Sequence, residues 1–114
     1  MFVKKRKYLL SGEEYEKYVA YHLKAQGFRG VKLTPKTGDY GADILCFDLY
    51  GRSCAVQCKF YHKPVGYKAV QEALSGKIYY NCKRAILVSN SGFTKNARKG
   101  AQKLGVDLYV CLTT

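Results

Sequence analysis

The sequence has few acidic residues and few prolines. Eight Asp and Glu stand against 20 Lys and Arg, which gives a formal net charge of +12. A positive field of this size favours a polyanionic partner, with nucleic acid the leading candidate, although a basic surface that only keeps the chain in solution is the alternative. With two prolines and 47% apolar residues, the composition is that of a packed globular protein and argues against a disordered tail.

The cysteines form neither a disulfide nor a zinc-binding pattern. There are five of them, and no two have the Cys-x-x-Cys spacing, so a disulfide framework and a four-ligand zinc site are both disfavoured. Most of them lie in apolar runs, where a free thiol packs as a small hydrophobic side chain. No apolar stretch reaches the length of a membrane span or of a signal-peptide core. We therefore expect a cytoplasmic protein with reduced thiols and no membrane partner.

Hydrophobic periodicity and turn residues predict one domain over residues 1–114. Ser11 and Glu14 fit a capping box, Thr94 fits a helix N-cap, and Gly27 and Gly105 fit helix ends. The predicted helices cover 12–26, 66–81 and 95–104, and the predicted strands cover 31–34, 42–50, 53–61, 85–89 and 106–112. The order α-β-β-β-α-β-α-β predicts an α/β fold in which helices flank a mixed sheet.

Three polar residues interrupt the second and third predicted strands, which form a hairpin around Gly51. Gln57 and Lys59 share one face of the third strand, about 7 Å apart. A turn at 50–52, or one residue to either side, places Asp43 opposite Cys58, Lys59 or Phe60. Polar groups within apolar strands carry a desolvation cost unless they pair or bind something. A buried Asp43–Lys59 ion pair would account for the cluster, but such pairs stabilise a core only weakly.

Metal-dependent hydrolysis is the stronger explanation of this cluster. Asp43 offers a hard oxygen for Mg²⁺, and the side-chain oxygen of Gln57 or the carbonyl of Cys58 can offer another. Lys59 can orient or deprotonate an attacking water.

Four segments along the chain carry a family pattern. They are Gly-Glu-Glu-Tyr-Glu at 12–16, Thr-Gly-Asp-Tyr-Gly-Ala-Asp at 37–43, Ala-Val-Gln-Cys-Lys at 55–59 and Val-Ser-Asn-Ser-Gly-Phe-Thr at 88–94, followed by Ala97 and Ala101. In this order and spacing, over roughly 11–112, they resemble the Mrr-type restriction endonuclease domain of the PD-(D/E)xK nuclease superfamily. The resemblance implies a restriction-endonuclease-like fold and endonucleolytic hydrolysis of DNA with Mg²⁺, for which Mn²⁺ can substitute, leaving 5′-phosphate and 3′-hydroxyl ends.

The resemblance also implies roles for individual residues. Asp43 matches the Asp of the first motif, and Gln57 and Lys59 match the two ends of the QxK motif. Glu16 matches the acidic residue of the first helix and is expected to complete the catalytic and metal-binding set, although a surface role for it is the alternative. Gln57 stands where the wider superfamily has an acid, which removes one negative charge from the metal site. Asp39 matches a position in the glycine loop, where it can equally serve as a turn former.

Basic and hydroxyl residues in the second half of the chain are candidates for DNA contact. This half, from residue 58, has ten basic and only two acidic residues. The candidates are Lys63 and Lys68 after the third strand, Ser91 and Thr94 at the start of the third helix, and Lys95, Arg98 and Lys99 along that helix. An ordinary solvated helix face is the alternative for the basic stripe.

The sequence leaves the exact activity open. A Holliday-junction resolvase-like nuclease would use the same metal site, and a DNA-binding module without catalysis would use the same cluster as a satisfied polar network. A homodimer would place two active sites for double-strand cutting.

Overall fold

A computed structural model describes residues 11–36 and 40–113 of the chain. Its elements follow the predicted order and are α1 (Gly12–Ala25), β1 (Arg29–Leu33), β2 (Ile44–Phe47), β3 (Ser53–Lys59), α2 (Tyr67–Tyr79), β4 (Arg84–Ser89), α3 (Lys95–Leu104) and β5 (Val106–Val110). None of the helices in these two ranges is long and apolar enough to cross a bilayer. The predicted α/β fold, with helices flanking a mixed sheet, is therefore confirmed.

Local chemistry sets the start of α1 and both ends of α3 where the sequence predicted them. The Ser11 hydroxyl accepts the N–H of Glu14, and the Glu14 carboxylate accepts the N–H of Ser11, so the capping box is formed. Thr94 caps α3 by accepting the N–H of Ala97 at 3.1 Å. Gly105 ends α3 in the left-handed region, with φ 72°, where a residue without a Cβ is unstrained.

The five strands lie in the order in which they occur along the chain. The β1–β2 and β2–β3 pairs are antiparallel, whereas the β3–β4 and β4–β5 pairs are parallel. Parallel neighbours need a crossover, and α2 and α3 supply the two that this sheet requires. The carboxyl ends of β3 and β4 consequently lie side by side, with Lys59 paired to Ser89.

Apolar side chains form one core on each face of the sheet. The core under α1 contains Tyr15, Val19, Ala20, Leu23, Ile44, Cys46, Cys54, Val56, Ile86 and Val88. The core under α2 and α3 contains Val65, Ala69, Val70, Ala73, Ala85, Leu87, Ala97, Ala101 and Val106. Alternation along β4 places Ile86 and Val88 in the first core and Ala85 and Leu87 in the second, so the sheet is covered on both faces.

The register of the β2–β3 hairpin differs from the predicted one. Ile44 pairs with Val56, and Phe47 pairs with Ser53, so continuing the register by one residue brings Asp43 beside Gln57 and not opposite residues 58–60. The cause lies in the turn: the carboxylate of Asp48 accepts the N–H groups of Tyr50 and Arg52, both at 2.9 Å. This wraps the chain around Tyr50, one residue before the predicted centre at Gly51. Because moving the centre of a turn by one residue moves the strand pairing by two, the partner of Asp43 changes from Lys59 to Gln57, which lies outside the range 58–60 predicted for such a shift.

Candidate active site

Asp43 lies just before β2 and is held by the two neighbouring strands. Its N–H donates to the carbonyl of Val56 at 2.7 Å, and its carbonyl accepts the N–H of Thr34 at 2.9 Å. Its Oδ2 accepts the backbone N–H of Cys58 at 2.8 Å. A carboxylate bound by a backbone amide is both oriented and partly neutralised, so the strand that carries Gln57 and Lys59 also fixes Asp43.

Gln57 is buried beside Asp43, with only 4% of its surface exposed. The end of its amide lies 3.3 Å from Asp43 Oδ2 and 3.1 Å from the carbonyl oxygen of Gly41. Both neighbours are acceptors, so the amide nitrogen faces them and donates to both. The predicted convergence of Asp43 and Gln57 is present, with Gly41 as a third participant that the sequence did not indicate.

Glu16 approaches the same end of the sheet from α1. Its side chain is 19% exposed, and its Oε1 accepts a 2.8 Å hydrogen bond from Lys36. This bond is the main cause of a raised pKa at Lys36, to which the charges of Glu16, Glu13 and Asp43 also contribute. Burial raises the pKa of the Cys58 thiol well above its usual value, and the charges of Asp43 and Glu16 raise it further. Glu16 and Asp43 thus both act on Lys36 and Cys58, and Lys36 is the ion-pair partner of Glu16.

Lys59 projects toward α2 and forms an ion pair with Glu72. The alternative explanation from the sequence, an ion pair between Lys59 and Asp43, is therefore wrong. The distance between Lys59 Nζ and Glu72 Oε1 is 2.8 Å, and the two side chains are 17% and 32% exposed. Burial on its own would lower the pKa of Lys59, but the hydrogen bond and charge of Glu72 outweigh it, and the pKa is raised. A protonated ammonium has no lone pair, so of the two expected roles the geometry favours orienting a water over deprotonating it.

The oxygens around Asp43 fit a hard divalent cation. Across residues 11–36 and 40–113, no three side chains of His, Cys, Asp or Glu surround a common point that could hold a metal. Mg²⁺ does not need such a set, because it is commonly bound through one or two carboxylates and keeps several waters. The Gln57 amide lies 3.3 Å from an oxygen of the Asp43 carboxylate and 3.1 Å from the Gly41 carbonyl oxygen. Both of these oxygens are hard donors, whereas the amide nitrogen that faces them is not, so Gln57 could supply only its side-chain oxygen. The ligand role of the Cys58 carbonyl stays a prediction, and Asp39 lies outside the described residues.

The predicted DNA-contact residues near the ends of β3 and β4 fall into two groups. Lys63 and Lys68 are exposed, and Lys68 lines a cavity of about 240 Å³ together with Lys59 and Glu72. Ser91 and Thr94 instead have structural bonds: Ser91 donates to the carbonyl of Lys63 at 2.8 Å, and Thr94 caps α3. Lys68 is thus brought to the candidate active site, while both hydroxyl groups already hold the local backbone.

The basic residues of α3 lie on its exposed side. Lys95, Arg98 and Lys99 are all exposed, and Arg98 donates to the carbonyl of Phe93 at 2.6 Å. Lys99 lines a shallow groove with Lys103 and with the ring of Tyr67. Tyr67, which lines this groove, is flanked in sequence by Gly66 and Lys68, which line the cavity at Lys59. Basic side chains therefore line both the cavity at the candidate active site and the groove of α3.

Three residues of this region were not predicted from the sequence. The first is Glu72, which pairs with Lys59. The second is Lys36, which pairs with Glu16, and the third is Lys103, which lines the same groove as Lys99. Glu72 did leave a signal, because it is the one acidic residue between Asp48 and Asp107. The other two are lysines among many, and only the fold distinguishes them.

Comparison with known families decides the class of this site. The family model described as restriction endonuclease, of the Mrr catalytic type, matches residues 8–110. The chain belongs to this restriction endonuclease family. The match confirms the resemblance carried by the four sequence segments, and it assigns the Mrr-type domain to a family of restriction endonuclease domains. Among curated proteins, no sequence matches the Mrr-type domain significantly.

Solved structures share the fold of the Mrr-type domain. AF1548, a protein of unknown function, matches with a TM-score of 0.73 and 20% identity over 88% of this chain. A repair endonuclease from Pyrococcus abyssi matches with a TM-score of 0.66 and 21% identity over 92% of the chain, and EndoMS without ligand matches with 0.66 and 19% over 90%. The domain spans 58%, 48% and 47% of these three chains, which is about half of their length.

Proposed function

We propose that the Mrr-type domain is a metal-dependent DNA endonuclease that hydrolyses phosphodiester bonds. The observation that carries the proposal is the Asp43 carboxylate, 3.3 Å from the Gln57 amide at the end of β3 where Lys59 projects. Membership of the restriction endonuclease family supports the reaction class, and the net charge of +12 supports a DNA substrate. EndoMS, which shares the fold, has been solved with double-stranded DNA.

In this proposal, Asp43, Gln57 and Glu16 hold Mg²⁺, with Mn²⁺ as its substitute and the carbonyl of Cys58 as a further ligand. A bound divalent cation would polarise the scissile phosphate and lower the pKa of a nearby water. Lys59 donates a hydrogen bond to the attacking water or to a phosphate oxygen, where its positive charge opposes the negative charge that develops. The water oxygen forms the new bond to phosphorus, the 3′ oxygen leaves, and solvent exchanges the protons, which gives a 5′-phosphate and a 3′-hydroxyl.

DNA would follow the basic surface that runs from the cavity at Lys59 to the groove of α3. Lys63, Lys68, Lys95, Arg98 and Lys99 are the expected phosphate contacts, and Lys103 joins them through its place in the groove. Ser91 and Thr94 would contribute through the backbone of the loop that they hold. A homodimer with two active sites and a cytoplasmic location stay predictions of this proposal.

The test is cleavage of supercoiled plasmid at low salt in Mg²⁺, in Mn²⁺ and in chelator. The variants are Asp43→Asn and Lys59→Met, and Asp107→Asn serves as a matched control because it removes a carboxylate far from Asp43 along the sheet. We expect nicked or linear product only when the metal and both side chains are present. The control variant should form this product as the wild type does. Both active-site variants should still bind DNA, because phosphate contacts elsewhere supply most of the affinity.

Two other outcomes would redirect the proposal. Cleavage of a four-way junction but not of plasmid would make the domain a resolvase-like nuclease. If the wild type binds DNA in a salt-sensitive manner but cuts neither substrate in any metal, the nuclease proposal fails and a DNA-binding module takes its place.

A further inference from the structure

Glu72 lies at the middle of α2 and reaches across to the end of β3. Its Oε1 is 2.8 Å from Lys59 Nζ, and both side chains are largely covered, at 32% and 17% exposure. The two residues form one wall of the cavity that Tyr61 and Lys68 also line. Within α2, Glu72 is the only acidic residue, so the Lys59 ammonium has a single carboxylate partner on this helix.

The same turn of α2 also touches the loop that leads to Asp43. Gly41 has a φ of 87°, and a Cβ built on it would overlap the carbonyl oxygen of Glu72. A Cβ on Gly76 would in turn overlap the carbonyl oxygen of Gly41, which lies 3.1 Å from the amide of Gln57. The backbone of this turn is thus packed against the Asp43 loop, while the Glu72 side chain holds Lys59.

A lysine needs such a partner if its ammonium is to act at one place. Its four-carbon stem has many rotamers, and an unpaired ammonium is distributed among them. A partly exposed ion pair contributes little to stability, whereas a misplacement of about 1 Å in an active site can lower a rate by about a hundredfold. The Glu72–Lys59 pair is therefore expected to matter for the position of Lys59 far more than for the folding of the domain.

We infer that Glu72 is a positioning residue of the nuclease: it fixes the Lys59 ammonium relative to the Asp43 loop, because one turn of α2 is bound to both. The inference rests on the proposed function. Glu72 does not take part in the hydrolysis itself and acts only through Lys59.

The first experiment measures single-turnover cleavage at saturating DNA, together with the Kd for DNA. Glu72→Gln keeps the shape and an acceptor oxygen but loses the charge, and Glu72→Ala removes the partner. Asp107→Asn is the matched control, since it changes the net charge of the domain by the same amount. We expect Glu72→Ala to lower the cleavage rate roughly tenfold to a hundredfold and Glu72→Gln to lower it less. The Kd of both variants should equal that of Asp107→Asn.

The second experiment does not depend on cleavage. The ¹⁵N signal of the Lys59 ammonium, assigned by its absence in Lys59→Met, reports whether the group is held and protected from exchange with water. We expect this signal in the wild type and in Asp107→Asn, and its loss in Glu72→Ala.

The outcomes separate the inference from the proposed function. With an active wild type, equal cleavage rates for Glu72→Ala and Asp107→Asn overturn the positioning role of Glu72. If the wild type is inactive, the proposed function has failed, and a Lys59 signal that persists unchanged in Glu72→Ala then overturns the positioning role as well.

Discussion

Gly76 of α2 lies directly against the carbonyl oxygen of Gly41, with no room for a side chain between them. Gly41 is two residues before Asp43, and its carbonyl also faces Gln57 at 3.1 Å. A glycine inside a helix normally costs about 1 kcal/mol relative to alanine. Here the close approach of the two backbones explains why a glycine stands in the helix, because with any side chain at position 76 α2 could not pack on the loop of the active site.

We predict that Gly76→Ala destabilises the domain, although the change favours the helix. The added methyl group must separate α2 from the loop, and overpacking of this kind costs about 1–3 kcal/mol, which outweighs the gain in helix propensity. Urea unfolding gives the free energy, and plasmid cleavage should fall as the Asp43 loop shifts. Ser75→Ala, on the exposed side of the same turn, is the control and should keep or slightly raise the stability, because alanine favours the helix there without overpacking. A Gly76→Ala variant more stable than the wild type would contradict the close contact.

Gln57→Glu is expected to make the stability of the domain depend on metal. Gln57 is buried and lies 3.3 Å from Asp43 Oδ2, so a second carboxylate there would meet the first in a site of low polarity. In chelator, the unfolding temperature should fall below that of the wild type. Added Mg²⁺ should raise it with concentration, as expected for a ligand that binds only the folded state, and by more than in the wild type.

Gln71→Glu is the control for this substitution. Gln71 is exposed on α2, and replacing it by Glu changes the net charge by the same amount. Its unfolding temperature should not respond to Mg²⁺ any more than that of the wild type does. If Mg²⁺ leaves Gln57→Glu unchanged as well, no cation binds between positions 43 and 57.

The sequence was sufficient for the order of elements because caps and periodicity are local. Ser11, Thr94 and Gly105 mark helix ends through bonds made within one turn, and each of them lies where it was expected. The prediction of the hairpin register was wrong, because the Asp48 side chain shapes the turn together with Gly51. A shift of one residue changes which side chains face each other.

The candidate site could be predicted as far as it lies on one hairpin. Asp43 and Gln57 are brought together by two adjacent strands, so strand pairing alone suggested their meeting. The Lys59–Glu72 and Glu16–Lys36 pairs instead join a helix to a strand or a loop, with no strand pairing between the two partners. Their formation depends on how α2 and α1 pack on the sheet, which no local pattern specifies.

Acid should destabilise the domain through Asp48. Burial would raise the pKa of this carboxyl, but hydrogen bonds from Arg52, Tyr50 and Arg84 lower it to about 2. A depressed folded pKa stabilises the native state above the unfolded value of about 3.9, and this stabilisation is lost as the pH falls toward 2. Urea unfolding at a series of pH values should therefore show a smaller acid-induced loss in Asp48→Asn than in the wild type. Parallel losses in the two proteins would assign the acid sensitivity to other carboxyl groups.

Salt dependence of DNA binding should identify the groove of α3 as a phosphate-binding surface. Lys99 and Lys103 line this groove beside Tyr67, whereas Lys17 and Lys24 are exposed on α1, across the sheet. The slope of log K against log salt falls by about 0.9 for each phosphate contact that is lost. We expect the double variant Lys99→Gln/Lys103→Gln to lose up to about 1.8 from that slope, and Lys17→Gln/Lys24→Gln, which removes the same charge, to keep it. Equal losses in the two double variants would mean that the positive charge acts as a general field, and that DNA does not follow the groove.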